Sequence, residues 1–404
     1  MRSAHRKRAN EFDRTEKAAR RYGKPTRKPA RPQFSSGPTV KPKGWDASTF
    51  RTDVLGRSHR SGLCKGVLQE VIDKTRQVLR VPDTHRIAIV PASDTGAVEM
   101  AMWSLLGARP VTVAAWENFG QDWVTDALKQ LKIDPTLLTA DYGQLPDLES
   151  WDPSTDLVFT WNGTTSGVKV PNGNFIPDDR EGLTICDATS AAFAMDLPWE
   201  KLDVVTYSWQ KVMGGEAQHG MLIIGPKAVE RLESHTPPWP LPKLFRMTKG
   251  GKLNQDLFAG ATINTPSMLC VVEHLQTLDW AIGMGGLKTL IERADANAAL
   301  IEEWVAKTPW VDYLCEEEAN RTNTGVCLKF IDPAVTAMSE DDQRALVKKM
   351  TKMLEAENVA FDIAGYRTAP PSLRIWVGGT VEHDDVSALL PWIDYAYEAS
   401  KPAA

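Results

Sequence analysis

"VVTYSWQKVMGGEAQHG", residues 204–220, decides the fold class of this chain and poses the first question about its chemistry. Val204 to Trp209 is rich in β-branched and aromatic residues, the composition of a buried strand. The run ends in Gln210 and Lys211, and Gly214 and Gly215 follow closely. An ammonium group at the buried end of a strand is costly unless it is paired or used. One use is as a neutral amine: lysine titrates near ~10.4 in water, and desolvation lowers that value. The two glycines are expected to admit close approach of the backbone to a bound group.

Reading outward, the same punctuation recurs. "TICDATSAAF" (184–193) is an apolar strand that ends in Asp187. "HRIAIVPASDTGAVEMAMWSLLG" (85–107) reads as a strand, a polar turn and an amphipathic helix. "RPVTVAAW" (109–116), "TDLVFTWNGTTSG" (155–167) and "HGMLIIG" (219–225) are further strands. "CKGVLQEVIDKTRQVLRV" (64–81) places Val67, Leu68, Val71, Ile72, Val78 and Leu79 at helical spacing. Short apolar strands alternating with helices predict an α/β fold with a mainly parallel sheet. Polar residues gather just after the strand ends, at Ser93–Thr95, Asn162–Thr164, Asp187 and Gln210–Lys211. That edge of an open α/β sheet is where ligands bind. From about residue 275 the pattern changes to a long helical stretch, two strands and another helix, which predicts a smaller α+β C-terminal domain. The expected organisation is a basic, disordered tail (1–32), a large domain (33–275) with an N-terminal arm (33–62), and a small domain (276–404).

Composition excludes several function classes. The 404 residues are 42% hydrophobic and 25% charged, ordinary values for a globular protein with a sizeable core. No apolar run reaches the ~18 residues of a membrane span, and no membrane partner is expected. The five cysteines are scattered without a CxxC, which predicts a reducing, cytoplasmic setting with neither disulfides nor a zinc site. Residues 1–32 hold 12 Lys/Arg against 3 Asp/Glu, so the rest of the chain is more acidic than the net charge of −5 suggests. An acidic body argues against nucleic acid as a partner.

Lys211 and Asp187 together specify a chemistry. A depressed lysine amine condenses with an aldehyde cofactor. Pyridoxal phosphate acts as an electron sink when an Asp keeps its ring nitrogen protonated. The turn Ser93–Gly96 opens a helix and offers N–H groups and hydroxyls to a phosphate. Its competing reading is a capping box, with Ser93 or Thr95 paired to Glu99.

These residues carry a resemblance. "QFSSGPT", "SHRS", "WNGTTSG", "CDATS", "SWQKVMGGE", "INTPS" and "LRIWVG" resemble the motif series of the phosphoserine aminotransferases, from about residue 33 into the C-terminal domain. That family has the fold-type I architecture, a mainly parallel seven-stranded sheet plus a small domain. The resemblance implies reversible amino transfer between phosphoserine with 2-oxoglutarate and 3-phosphohydroxypyruvate with glutamate. It implies that Lys211 bonds the cofactor and moves the substrate's α-proton, and that Asp187 holds the ring proton. Thr164 would bond the cofactor's 3-oxygen. Ser93, Asp94 and Gln210 would hold its phosphate. Asn264 and Thr265 would reach that phosphate from the other subunit of a homodimer. Phe119 would stack on the ring, with Trp123 as the competitor. Arg374 would bind the substrate carboxylate, and His59, Arg60 and Arg367 its phosphate or side-chain carboxylate. No metal is implied. Two positions depart from the bacterial pattern, Asp94 where many members carry Arg and Tyr366 where a His precedes Arg367. The alternative chemistry on the same fold is an alanine–glyoxylate or serine–pyruvate transamination. A cysteine desulfurase would need Cys315 or Cys327 on a mobile loop.

Overall fold

The structure, a computed structural model, describes residues 23–402. Seven segments form one sheet: β1 (Arg86–Pro91), β2 (Val111–Ala115), β3 (Thr136–Thr139), β4 (Asp156–Thr160), β5 (Thr184–Asp187), β6 (Val204–Ser208) and β7 (His219–Ile224). The strand order is β1-β7-β6-β5-β4-β2-β3. Strands β2 to β6 pair in parallel, and β7 runs antiparallel to both β1 and β6. The period-two geometry of a strand sends alternate side chains into two separate cores. Ile87, Ile89, Leu157, Phe159, Val205 and Tyr207 enter one core. Ala88, Val90, Val158 and Val204 enter the other.

Five helices cover the two faces: α1 (Gly62–Leu79), α2 (Ser93–Leu105), α3 (Asn118–Thr125), α4 (Pro226–Ser234) and α5 (Met268–Gly283). α1 and α5 contribute to the first core, the other three to the second. All six apolar positions expected on α1 are buried. Ser61 caps that helix by accepting from the Cys64 N–H, and Arg80 ends it in the left-handed region at φ 56°.

Buried charge is paired at the edge where the parallel strands begin. Asp156, wholly buried at the start of β4, accepts from both Nη atoms of Arg231 at 2.8 and 3.1 Å. Asp203, just before β6, pairs with Arg180 at 3.0 Å and accepts from the Thr184 N–H. Buried charges persist when paired and hydrogen-bonded like this. The opposite edge, where those strands end, is different, and the candidate site lies there.

The small domain contains α6 (Leu287–Val305), β8 (Val311–Tyr313), β9 (Gly325–Phe330), α7 (Glu340–Ala356), β10 (Ser372–Trp376) and α8 (His383–Ser400). Its three strands form an antiparallel sheet in chain order. Two boundaries fall elsewhere than expected. Residue 275 lies inside α5, which runs unbroken to Gly283 because its apolar side continues to pack the first core. Within the expected tail, residues 24–31 are strapped to the small domain. Lys24 and Lys28 pair with Glu357, and Arg31 lies within ion-pair distance of Glu382 and Asp385. Trp392 donates its indole N–H to the Arg27 carbonyl. Basic residues that looked unpartnered in sequence find acids contributed from more than 300 positions away. Residues 1–22 of the expected tail lie outside the described residues. Among the described residues no helix is long and apolar enough to cross a membrane.

Candidate active site

Lys211 follows β6 at the strand-end edge and is 9% exposed. Its Nζ donates to the Ser36 carbonyl of the N-terminal arm. A Cβ on Gly37 would lie 2.6 Å from Nζ, and Gly37 has φ 150°, so only glycine fits beside the amine. The arm is tied down by Thr39, which donates its N–H to the Gln210 carbonyl and its hydroxyl to the Lys211 carbonyl. Burial, helped by the Arg374 guanidinium, lowers the Lys211 amine to about 8 against the opposing pull of Asp187, Glu117 and Asp94. The glycines after it serve another purpose than expected. A Cβ on Gly214 would strike the Val40 carbonyl, and one on Gly215 would press on Trp209. Gly214 thus admits the arm, and Gly215 the backbone of its own turn.

Asp187 ends β5 and is 5% exposed. Its Oδ2 accepts from Trp123 Nε1 at 3.2 Å, and its Oδ1 from the Thr189 N–H at 3.0 Å. This separates the two aromatic candidates. Trp123 is buried in α3 and holds Asp187 through its indole. Phe119 is half-buried on the first turn of the same helix, 5.8 Å from the Tyr366 ring.

The turn after β1 is not a capping box. The residue preceding α2 is Ala92, at φ 65°, and no side chain caps the helix. Ser93 is also left-handed at φ 56°. Two successive non-glycine residues in this region store strain of about 1–2 kcal/mol each, which the surrounding packing must hold in place. A Cβ on Gly220 of β7 would strike the Ser93 carbonyl, so the turn is pressed against the sheet. The first N–H groups of α2 are therefore left for an anion. Asp94 lies on this turn, but its buried carboxyl faces Asp187, Thr189 and Thr206.

Thr164 is buried and donates to Ser190 Oγ at 2.8 Å. Gln210 is half-buried, with its Oε1 unpartnered. Arg374, on β10, has a buried Nε without a partner and stands 5.5 Å from the centre of the Tyr366 ring. Arg367 flanks the same ring at 5.8 Å. Thr368 ties this small-domain loop to the large domain, donating to Asn118 Oδ1 at 3.2 Å and bonding the Tyr142 hydroxyl at 2.9 Å. The structure thus brings together Lys211, Asp187, Asp94 and Arg374, with Gln210 adjacent in the chain and Phe119 joined through Tyr366.

Four candidates stand apart. His59 is half-buried with its Nε2 unpartnered, Arg60 is exposed, and among the described residues no hydrogen bond or ion pair joins either side chain to Lys211, Asp187, Asp94 or Arg374. Asn264 is half-buried and Thr265 exposed, and among the described residues the Asn264 side chain bonds only its own loop. Cys315 and Cys327 are poor nucleophiles: burial pushes their thiols up to about 11 and about 12.

Sequence reading missed Glu117. It ends the segment after β2, accepts from the Gly120 N–H and from the Thr165 hydroxyl, and its charge reaches Lys211. Its only signal was position, an acid directly after a strand and before a helix. Ser36, Gly37 and Trp123 were missed in their present roles because their contacts cross the chain.

No family model matches the chain. Among curated proteins it is 55% identical over 379 residues to the phosphoserine aminotransferase of Methanosarcina mazei, a match covering 94% of this chain and 100% of that one. The chain belongs to the phosphoserine aminotransferase family. A solved phosphoserine aminotransferase from Cytophaga hutchinsonii superposes with a TM-score of 0.76 at 17% identity, over 90% of this chain and 98% of that one. Another, from Trichomonas vaginalis with pyridoxal phosphate bound, gives a TM-score of 0.72 at 17% identity over 89% and 99%. These likenesses establish the fold as that of the phosphoserine aminotransferases. The family's fold-type I architecture accounts for the seven-stranded sheet with its one internal antiparallel strand.

The residues present fit pyridoxal phosphate. Among the buried polar atoms without partners, Ser36 Oγ, Ser208 Oγ, Gln210 Oε1 and Arg374 Nε belong to residues that precede Lys211 in the chain, bond its amine or act on its charge. Native proteins leave few such atoms, and a cluster of them marks where a polar group belongs.

Proposed function

We propose that this chain catalyses pyridoxal-phosphate-dependent amino transfer between O-phospho-L-serine with 2-oxoglutarate and 3-phosphohydroxypyruvate with glutamate, the phosphoserine step of serine biosynthesis. The observation that carries this reading is the 55% identity to a phosphoserine aminotransferase whose whole length is matched. The pocket that holds Lys211, Asp187 and Arg374 supports it.

When bound, pyridoxal phosphate supplies an aldehyde that condenses with amines and a protonated ring that stores the electrons of a broken C–H bond. Lys211 contributes a neutral amine, first as nucleophile and then as the base that takes the substrate's α-proton and returns it. Asp187 would hold the proton on the ring nitrogen, its two oxygens fixed by the Trp123 and Thr189 N–H donors. The N-terminus of α2, with Ser93 and the backbone of Asp94, binds the phosphate, helped by Gln210. Thr164 would bond the 3-oxygen, and Phe119 would cover the ring face. Arg374 clamps the substrate carboxylate as a bidentate fork. Arg367 adds positive charge for the substrate phosphate. The alternative alanine or serine substrates carry no phosphate to use that charge.

His59, Arg60, Asn264 and Thr265 complete the site from a second copy in a homodimer. The support is that these four stand apart from their own chain's Lys211 cluster although the family uses them.

The test is an absorbance spectrum of the purified protein before and after O-phospho-L-serine, with L-alanine and L-serine in parallel. Rapid conversion of the cofactor band by phosphoserine alone upholds the reading. Conversion by alanine or serine instead would assign another amino donor.

The Lys211 environment also fixes a pH dependence. With an amine near 8, about a tenth is neutral at pH 7, roughly 300-fold more than for a lysine near 10.5. The rate of cofactor incorporation into the cofactor-free chain is expected to rise about tenfold per unit up to pH 8 and then level off. A rise that continues past pH 9.5 would show that burial does not depress this amine.

A further inference from the structure

Thr164 is the residue proposed for the cofactor's 3-oxygen, and a hydroxyl has one proton to give. In the structure that proton is directed elsewhere. Thr164 Oγ1 lies 2.8 Å from Ser190 Oγ. Ser190 Oγ stands 2.9 Å from the Asn162 carbonyl and 2.9 Å from Asn162 Nδ2. A carbonyl only accepts, and an amide NH₂ only donates. The Ser190 proton therefore goes to the Asn162 carbonyl, and its oxygen accepts from Asn162 Nδ2 and from Thr164. All three side chains are buried, so bulk water supplies no substitute partner.

The small domain closes the set. Thr324, buried just before β9, donates to the Ser190 carbonyl at 3.1 Å and accepts from Asn162 Nδ2 at 3.0 Å. Among the described residues no hydrogen bond joins Thr324 to the Thr164 or Ser190 hydroxyl. Thr324 thus shares the network without touching the pair that faces the cofactor.

The 3-oxygen of pyridoxal phosphate is an acceptor when ionised, so Thr164 serves it by turning its proton away from Ser190. That turn takes one donor from Ser190 Oγ and leaves a Thr164 lone pair facing it across 2.8 Å. The Ser190 proton is the one placed to fill that lone pair. Asn162 Nδ2 still donates to Ser190 Oγ and heads the chain. Donation then runs one way, from Asn162 through Ser190 and Thr164, and bonds in such a chain strengthen one another.

We propose that Ser190 is a positioning residue: its hydroxyl reverses from the Asn162 carbonyl to Thr164 Oγ1 and so fixes Thr164 as a donor to the cofactor's 3-oxygen. The proposal rests on the pyridoxal-phosphate reading of this site.

The test uses the loaded, full-length enzyme without substrate and reads the pH at which its cofactor absorbance band changes. A donor on the 3-oxygen stabilises its negative charge, so the oxygen holds less tightly the proton it shares with the Lys211 nitrogen. Weakening that donor raises the midpoint of the titration. Ser190→Ala is expected to raise it by about half a unit to one unit, the worth of one hydrogen bond. Thr164→Val removes the donor itself and should raise it at least as far. Ser190→Cys fills the same space with a weak donor and should also raise it, and it serves in place of the alanine variant if that one does not fold. Thr324→Val removes a hydroxyl from the same buried set. It is expected to lower the thermal midpoint while leaving the band's midpoint where wild type has it. An unmoved band in the Ser190 variants, or an equal shift in Thr324→Val, would overturn the proposal alone. A wild-type chain that shows no cofactor band when given pyridoxal phosphate would overturn the reading of the site, and the proposal with it.

Discussion

Replacing Lys211 by alanine is expected to lower phosphoserine turnover by at least ~10⁴-fold, with the cofactor still bound but no longer covalently held. A positioned general base alone is worth ~10²–10⁴, and the variant also loses the nucleophile. The fold should not suffer. Among the described residues the Lys211 amine has a single hydrogen-bond acceptor, the Ser36 carbonyl, and its burial is a cost. Its folded value near 8 lies below the unfolded ~10.5, so the unfolded state binds the proton more readily. That penalty is full below about pH 8 and fades toward pH 10.5. The alanine variant should therefore match or exceed wild type in thermal midpoint, most clearly below pH 8. Single-turnover absorbance measures the first effect, and borohydride reduction followed by mass spectrometry shows whether Lys211 carries the cofactor. Small added amines such as methylamine should restore part of the proton transfer. Retention of more than about 1% of activity without added amine would place the base on another residue.

The sheet was legible because burial imposes a period of two on each strand, and every strand end carried a polar punctuation mark. Asp187, Lys211 and the Ser93 turn are visible for that reason, as end groups of apolar runs. Arg374 is visible only through the family resemblance, since its approach to Lys211 depends on how the small domain sits against the large one. Contacts made across the chain were hidden. The purpose of Gly214 becomes clear once Val40 lies against it, and that of Gly37 once the Lys211 amine does. Trp123 stayed a competitor to Phe119 for the stacking ring because spacing along α3 does not separate them. The indole bond to Asp187 does. The basic tail read as solvated because its acidic partners, Glu357, Glu382 and Asp385, come from the far end of the sequence.

Asp187→Asn is expected to cost roughly 10³-fold in kcat, with KM for phosphoserine little changed. The side chain keeps its size, so the loss isolates charge. Removing one preorganised electrostatic partner from a desolvated site costs ~10²–10³, and in the proposed mechanism the partner would face a full positive charge on the ring nitrogen. An amide cannot hold that proton. It also fits its own neighbours poorly: the Trp123 and Thr189 N–H groups both point at carboxylate oxygens, and one of them must now face an NH₂ group. The expected signature is a slow α-proton transfer step, seen as a larger kinetic isotope effect with α-deuterated phosphoserine. Cofactor bound to the variant should also titrate at lower pH at its ring nitrogen. A loss of less than about tenfold would mean that the ring proton is held without Asp187, and the role given to the Trp123 and Thr189 donors would fall with it.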